Sequence, residues 1–304
     1  MALVTVDPTA NAATAAAYCD ALEHGSLLFL AHTLLSWKAD DRAALLQRDQ
    51  QARSHKNIAY HLDADRLMGV DRRSGQAETL RRLLRIYAKE ITALLAALLA
   101  PYARCWRIDY TSFRPEEEAG RRLPWRARND LLHIDAFPSR PTNGDRILRV
   151  FTNVHPSRPR CWVTAEPFDL LVGRFADRPG LSLPRHPSPW HALRRRLLRH
   201  VPSAGGALLR RSPYDAFMLR LHDHLKADAR FQATAARETW QFPPGSSWIA
   251  FTDALPHAAL SGQFALEQTY FVPRAAMRHP ERAPVSILEK LCRIPLTDAS
   301  SLFP

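Results

Sequence analysis

The sequence predicts a mixed α+β chain whose core is a β-barrel or sandwich split by a helical insert. Three observations carry this. Residues 8 to 100 show helix-like apolar spacing. After Pro101 the texture changes to short alternating runs rich in aromatic and branched residues. Those runs give way near residue 168 to a helix-rich stretch and resume near residue 238. Strands interrupted midway by helices fit two half-barrels flanking an insertion. The expected divisions are a helical region at 1–100, a core at 101–275 with its insert at about 168–238, and a tail at 276–304.

Taken in order, "PTANAATAAAYCDALEHG" begins near a proline and ends at Gly25, a C-cap residue. "DDRAALLQRDQQ" has an acidic start and apolar residues three to four apart. "AETLRRLLRIYAKEITALLAALLA" sets leucines on one stripe and arginines opposite, and is the strongest helix. Four strand candidates follow: "RCWRIDYTSFRP", "LLHIDAF", "RILRVFTNVHP" and "RCWVTAEPF", punctuated by "PSRPTNGD" and "HPSRP". Next come a basic, proline-broken stretch containing "HALRRRLLRH" and the helix "SPYDAFMLRLHDHLKADARFQ". "ETWQFPPGSSWIAFTDALPHAALSGQFALEQTYFVP" then returns to strands around a "PPGSS" turn.

Composition narrows the function. The 304 residues carry 42 Lys+Arg against 30 Asp+Glu, a formal charge of +12, so polyanions or anionic substrates are the expected partners. Four scattered cysteines without a CxxC pair exclude a zinc ribbon and fit a reducing cytoplasm. The N-terminus lacks a secretory pattern, and "ITALLAALLA" is about half the length of a membrane span. Any membrane contact is therefore expected at the surface. There is no GxSxG, HExxH, P-loop or GxGxxG, which leaves hydrolase and nucleotide-binding readings without support.

The chemistry-bearing stretch is "LLHIDAFPS". In a strand, alternate side chains share a face, so His133 and Asp135 point the same way. A third ligand from a distant strand would complete a His, carboxylate, His facial set of the kind that holds non-haem Fe(II) with open positions. His257, just after a turn-forming proline, is the candidate. By itself HxD is a weak signal, and a hydrogen-bonded pair at a strand end is the plainer reading. The competing cluster His222 and His224 lies in a helical pattern. Two residues apart there diverge by about 200°, so this pair is expected on the helix surface and not around one ion.

"LHIDAFPSRPTNGDRILRVFTNVHP", "EPFDLL", "SPYDAFMLRLHDHLKAD" and "FPPGSSWIAFTDALPHAALSGQFALEQT" resemble, in order, the 3-deoxy-D-manno-oct-2-ulosonic acid (Kdo) hydroxylase family, from about Arg104 to Val272. The resemblance implies a double-stranded β-helix (jelly-roll) core and an Fe(II)/2-oxoglutarate-dependent dioxygenase using O2, with ascorbate as a supporting reductant. It implies iron ligands at His133, Asp135 and His257. It also implies hydroxylation at C3 of the Kdo sugar of lipid A-linked inner core, an anionic glycolipid met at the cytoplasmic face of the inner membrane.

Many members of the wider superfamily place an arginine about ten residues after the distal histidine, where this chain has Glu267 and Gln268. Another buried arginine is then needed for the far carboxylate of 2-oxoglutarate, because the guanidinium fork matches a carboxylate. Arg149 is the first candidate, with Asn153, Arg160 and Gln268 assisting; the competing role for Arg149 is pairing with a structural acid. "RRLPWRARND" offers Trp125, Arg126 and Arg128 to the substrate, and Tyr110 and Trp162 are candidate cavity walls. Two rival functions stay open at this point. One is a 2-oxoglutarate oxygenase acting on nucleic acid or protein; the other is a non-enzymatic polyanion binder.

Overall fold

The computed structural model describes every residue except 1, 10, 34, 36, 48, 53, 176–177, 179–180, 185–210 and 298–304. The basic run "HALRRRLLRH" lies outside the described residues.

Two sheets form the core. The large one has eight strands in the order β1 (Leu3–Thr5), β2 (Leu27–Leu30), β9 (Ser247–Phe251), β6 (Arg146–Asn153), β11 (Ala265–Val272), β5 (Arg107–Arg114), β3 (Ile58–His61) and β4 (Arg66–Met68). The small one runs β10 (His257–Ser261), β7 (Arg160–Thr164) and β8 (Glu238–Phe242), all antiparallel. Their inner faces meet through aromatic rings: Phe151 of β6 lies 4.6 Å from Trp162 of β7, centroid to centroid. Trp248 stacks on Phe242 at 4.0 Å. These rings fill part of the space between the sheets, and Phe151 and Trp162 also border the cavity that takes up the rest.

The strands expected after Pro101 are present, with one exception that corrects the reading. The segment "LLHIDAF" forms no ladder of its own; it is tied to β10 by one bridge, His133 to His257, with paired N–H···O bonds of 3.1 and 2.9 Å. The expectation of a helical region at 1–100 is corrected, since β1 to β4 supply half of the large sheet. They are three or four residues long, too short to display a period of two.

The helices brace this frame as their patterns require. Helix α1 (Ala12–Glu23) is capped by Asn11, whose side chain accepts from Thr14 N. Helix α2 spans Ala39–Leu45. Helix α3 (Ala77–Leu98) buries Leu80, Leu83, Leu84, Tyr87, Ile91, Leu95 and Leu98 against the outer face of the large sheet, where Leu148, Val150, Leu266 and Tyr270 await them. Helices α5 (Phe168–Phe175), α6 (Pro213–Ala227), α7 (Ala229–Thr234) and α8 (Pro284–Cys292), the last in the expected tail, cover the outer face of the small sheet. Short α4 (Ala100–Ala103) links α3 to β5. Leu84 is fully buried, so Leu84→Ala is expected to cost about 2–5 kcal/mol in denaturant unfolding. A cost under about 1 kcal/mol would place α3 outside the cooperative core.

Candidate metal centre and its cavity

The period of two that builds the barrel also aims its chemistry. Leu132 and Ile134 are fully buried among the helices outside the small sheet, which turns His133 and Asp135 inward. The bridge to β10 brings His257 alongside. One ligand atom from each of His133, Asp135 and His257 lies within 4.8 Å of the others, and all three residues are buried.

The surroundings set the state of each donor. His133 Nδ1 donates to Leu131 O (2.7 Å) and His257 Nδ1 to Leu255 O (2.9 Å). Each ring is therefore held with Nε2 as its free lone pair. Trp162 stacks on His257 at 5.0 Å and 16°, fixing its plane. Burial pushes the His133 imidazolium well down, with Lys226 and His257 acting the same way. Burial lowers His257 too, against the pull of Asp135. Burial alone would raise the Asp135 carboxyl. The Arg149 guanidinium beside it overrides this and holds it well below the ordinary carboxylate range. The result is two neutral imidazoles and one carboxylate, the donor set a hard-to-borderline divalent cation takes.

A cavity of about 730 Å³ opens over these donors. Its deep wall is a knot of ion pairs. Arg149 bonds both Asp135 and Glu267. Arg114 grips Glu267 at 2.8 and 3.0 Å, and Arg160 meets Glu118 at 3.1 Å. Asn129 also donates to Glu118, at 3.0 Å. Gly262 makes room for this knot. Its carbonyl accepts from Arg160 at 2.8 Å, and a Cβ there would lie 2.7 Å from the arginine Cγ.

Among the described residues, four buried donors on this wall have no hydrogen-bond partner, Arg114 Nη1, Arg149 Nε, Arg160 Nε and Trp162 Nε1, and Arg211 Nε, elsewhere on the cavity lining, is a fifth. Buried donors are normally bonded. Orphaned donors on five residues lining one cavity are what an absent anionic acceptor would leave behind.

Of the residues expected near 2-oxoglutarate, Arg149 and Arg160 line the cavity, whereas Asn153 and Gln268 do not. Arg149 carries the structural pairing that competed with a ligand role. Gln268 follows Glu267, so its side chain lies on the opposite face, bonded to Thr111 and to the carbonyls of Asp109 and Thr269. Asn153 sits beyond Phe151, its amide spent on Arg158 O and Phe242 O. Tyr110, Arg126 and Trp162 reach the cavity; Trp125 and Arg128 stay outside it. Arg128 pairs instead with Asp130, and Trp125 is 40% exposed under the Arg126 guanidinium.

The expectation that His222 lies on the helix surface is corrected. It is half-buried, lines the cavity, donates from Nδ1 to Ile134 O (2.6 Å), and stands edge-on to His133 at 5.1 Å. His224 does diverge from it, packing on Phe175. Residues without a sequence signal also line the cavity, Lys56, Arg114, Arg140 and Lys226, with Glu118 paired to Arg160 behind the lining.

The fold and the donor set define a class, the jelly-roll proteins with a two-histidine, one-carboxylate facial set. The family model for 3-deoxy-D-manno-oct-2-ulosonic acid (Kdo) hydroxylase matches residues 5–295, and the chain belongs to that family. Among solved structures it is similar to the Kdo hydroxylase KdoO, a non-heme Fe(II) alpha-ketoglutarate-dependent dioxygenase. The apo form of KdoO is 34% identical, with TM-score 0.85 and 100% of both chains covered. KdoO in complex with alpha-ketoglutarate and Fe(III) gives TM-score 0.84 at the same identity and coverage. KdoO in complex with cobalt(II) gives 0.84 with 99% of each chain covered. No curated protein matches the chain.

Proposed function

We propose that this chain is an Fe(II)/2-oxoglutarate-dependent dioxygenase that hydroxylates C3 of the Kdo sugar in a lipid A-linked glycolipid. The observation that carries the reading is the conjunction of the His133, Asp135, His257 set with the four orphaned donors on one cavity wall. The family, and a 34% identical relative that binds both iron and alpha-ketoglutarate, support the same reading. They do not favour the rival substrates, nucleic acid and protein, or a non-enzymatic polyanion binder.

His133, Asp135 and His257 would hold the iron. Bound there, Fe(II) supplies the dioxygen chemistry that couples decarboxylation of 2-oxoglutarate, giving succinate and carbon dioxide, to insertion of one oxygen atom into a C–H bond. The chain's residues position the partners. Arg149 keeps Asp135 ionised and oriented. Arg160 and Arg114, with Trp162 Nε1 beside them, are the donors for the far carboxylate of 2-oxoglutarate, each offering an N–H that nothing else uses. Arg126 and Tyr110 also line the cavity and are assigned here to the substrate. Among the described residues no helix is long and apolar enough to cross a membrane. Action on the glycolipid at the cytoplasmic face of the inner membrane, through surface contact, belongs to this proposal.

The test is mass spectrometry of Kdo-lipid A after incubation with enzyme, Fe(II), ascorbate and 2-oxoglutarate. The sugar is expected to gain one oxygen atom, and the His133→Ala variant to add none. An untouched sugar alongside succinate release would remove the substrate from the proposal and leave the oxygenase.

A further inference from the structure

The cavity has a second group of cations, set apart from the deep knot by what they lack. Arg114, Arg149 and Arg160 each face a carboxylate of this chain. Lys226 and Lys56, which line the same cavity, have no carboxylate within ion-pair distance among the described residues. They arrive from opposite ends of the chain, Lys226 from the last turn of α6 and Lys56 from the loop before β3. Lys226 is only 4% exposed and donates one hydrogen bond, to Arg126 O at 2.8 Å. An ammonium has three donors.

Burying a cation without a counter-charge is costly, and the usual remedy is a paired anion. The cost is visible here. Burial drops Lys226 to about 8, even with Asp135, Asp223 and Asp130 pulling the other way. Burial pushes Lys56 well down, and Arg114 and Lys226 push it further. Lys226 lines the same cavity as His133, Asp135 and His257.

Resting on the reading above, we propose that Lys226 and Lys56 form the docking point for the carboxylate of the sugar-acid substrate. A 3-deoxy-2-ulosonic acid carries that carboxylate on C2, directly next to the C3 methylene. Anchoring it beside the His133, Asp135, His257 set holds the C3–H bonds near the open side of that set. The two lysines are therefore specificity determinants: a neutral sugar would leave the buried Lys226 ammonium and the half-buried Lys56 ammonium without an acceptor. The deep arginines, already arranged as planar forks, take the co-substrate, and the lysines, as point charges, take the sugar acid.

Both candidates for this site are carboxylates, so the experiment separates them. Succinate formation is measured against Kdo-lipid A concentration and, separately, against 2-oxoglutarate concentration, for wild type, Lys226→Met, Lys56→Met and the double variant. The KM for the glycolipid is expected to rise about 10- to 100-fold in each single variant and further in the double, with kcat changed by less than about threefold. The KM for 2-oxoglutarate should move less than about twofold. Lys226→Arg, which keeps the charge and guards against misfolding, should stay within a few-fold of wild type. Substrate bearing a methyl ester at the sugar carboxylate should be poor for wild type and indistinguishable from the free acid for the double variant. A rise in the 2-oxoglutarate KM instead, or an unmoved glycolipid KM, overturns the assignment alone. A wild-type enzyme inert toward Kdo-lipid A brings down the substrate reading and this assignment with it.

Discussion

Asp135→Asn is expected to lower hydroxylation by at least about a thousandfold, because a neutral amide cannot replace the one anionic donor in the set. The effect is chemical before it is structural. His133 and His257 are buried neutral, so Asp135 supplies all the negative charge a divalent cation would meet. The neighbouring variant Arg149→Met separates ligation from orientation. It removes the group that holds Asp135 ionised and that also pairs with Glu267. Metal affinity should then fall about 10- to 100-fold, the usual consequence of losing a partner behind a ligand. Titration with Co(II), followed by visible absorbance, measures both; KdoO binds this ion. Asp135→Asn should bind none at concentrations that saturate wild type. Full Co(II) binding and activity in that variant would remove Asp135 from the metal centre.

Much of this centre was legible because one periodicity governs both packing and chemistry. Apolar Leu132 and Ile134 alternate with His133 and Asp135, so any strand that buries the first pair must turn the second pair inward. Strands β5 to β11 are five to eight residues long and show their alternation. β1 to β4 do not, and the first hundred residues read as helical for that reason. The misplacement of Gln268 has the same origin: one step along a strand changes the face, and the cavity takes Glu267. For His222 the divergence of residues two apart on a helix was sound, but divergence puts one of the two inward, and which one depends on where α6 docks. Lys56, Arg114, Glu118 and Lys226 leave no local mark. Arg114 finds Glu267, Glu118 finds Arg160 and Lys226 finds the Arg126 carbonyl, all more than forty residues away, and no short window of sequence contains these pairs.

Glu118→Gln is expected to lower stability by about 3–5 kcal/mol, a fall of roughly 6–15 °C in Tm, because it breaks a buried ionic knot from the centre. Burial pushes the Glu118 carboxyl up, yet Arg114, Arg160 and the Asn129 amide more than reverse this, and it titrates below the ordinary value of 4.5. It is an anion at neutral pH, and two arginines rely on it. Replacing it with an amide of the same shape keeps the packing but leaves Arg160 with Gly262 O alone and Arg114 with Glu267. The freed positive charge faces the cavity where the far carboxylate of 2-oxoglutarate is proposed to bind. Adding metal and 2-oxoglutarate should therefore raise Tm more in Glu118→Gln than in wild type, since a ligand that supplies the lost anion stabilises the variant by more than its binding to an already balanced site. Thermal scans of both proteins, with and without the co-substrate, read the difference directly. Equal ligand-induced rises would move the carboxylate away from Arg160 and Arg114, and a variant as stable as wild type would show that the knot contributes position without stability.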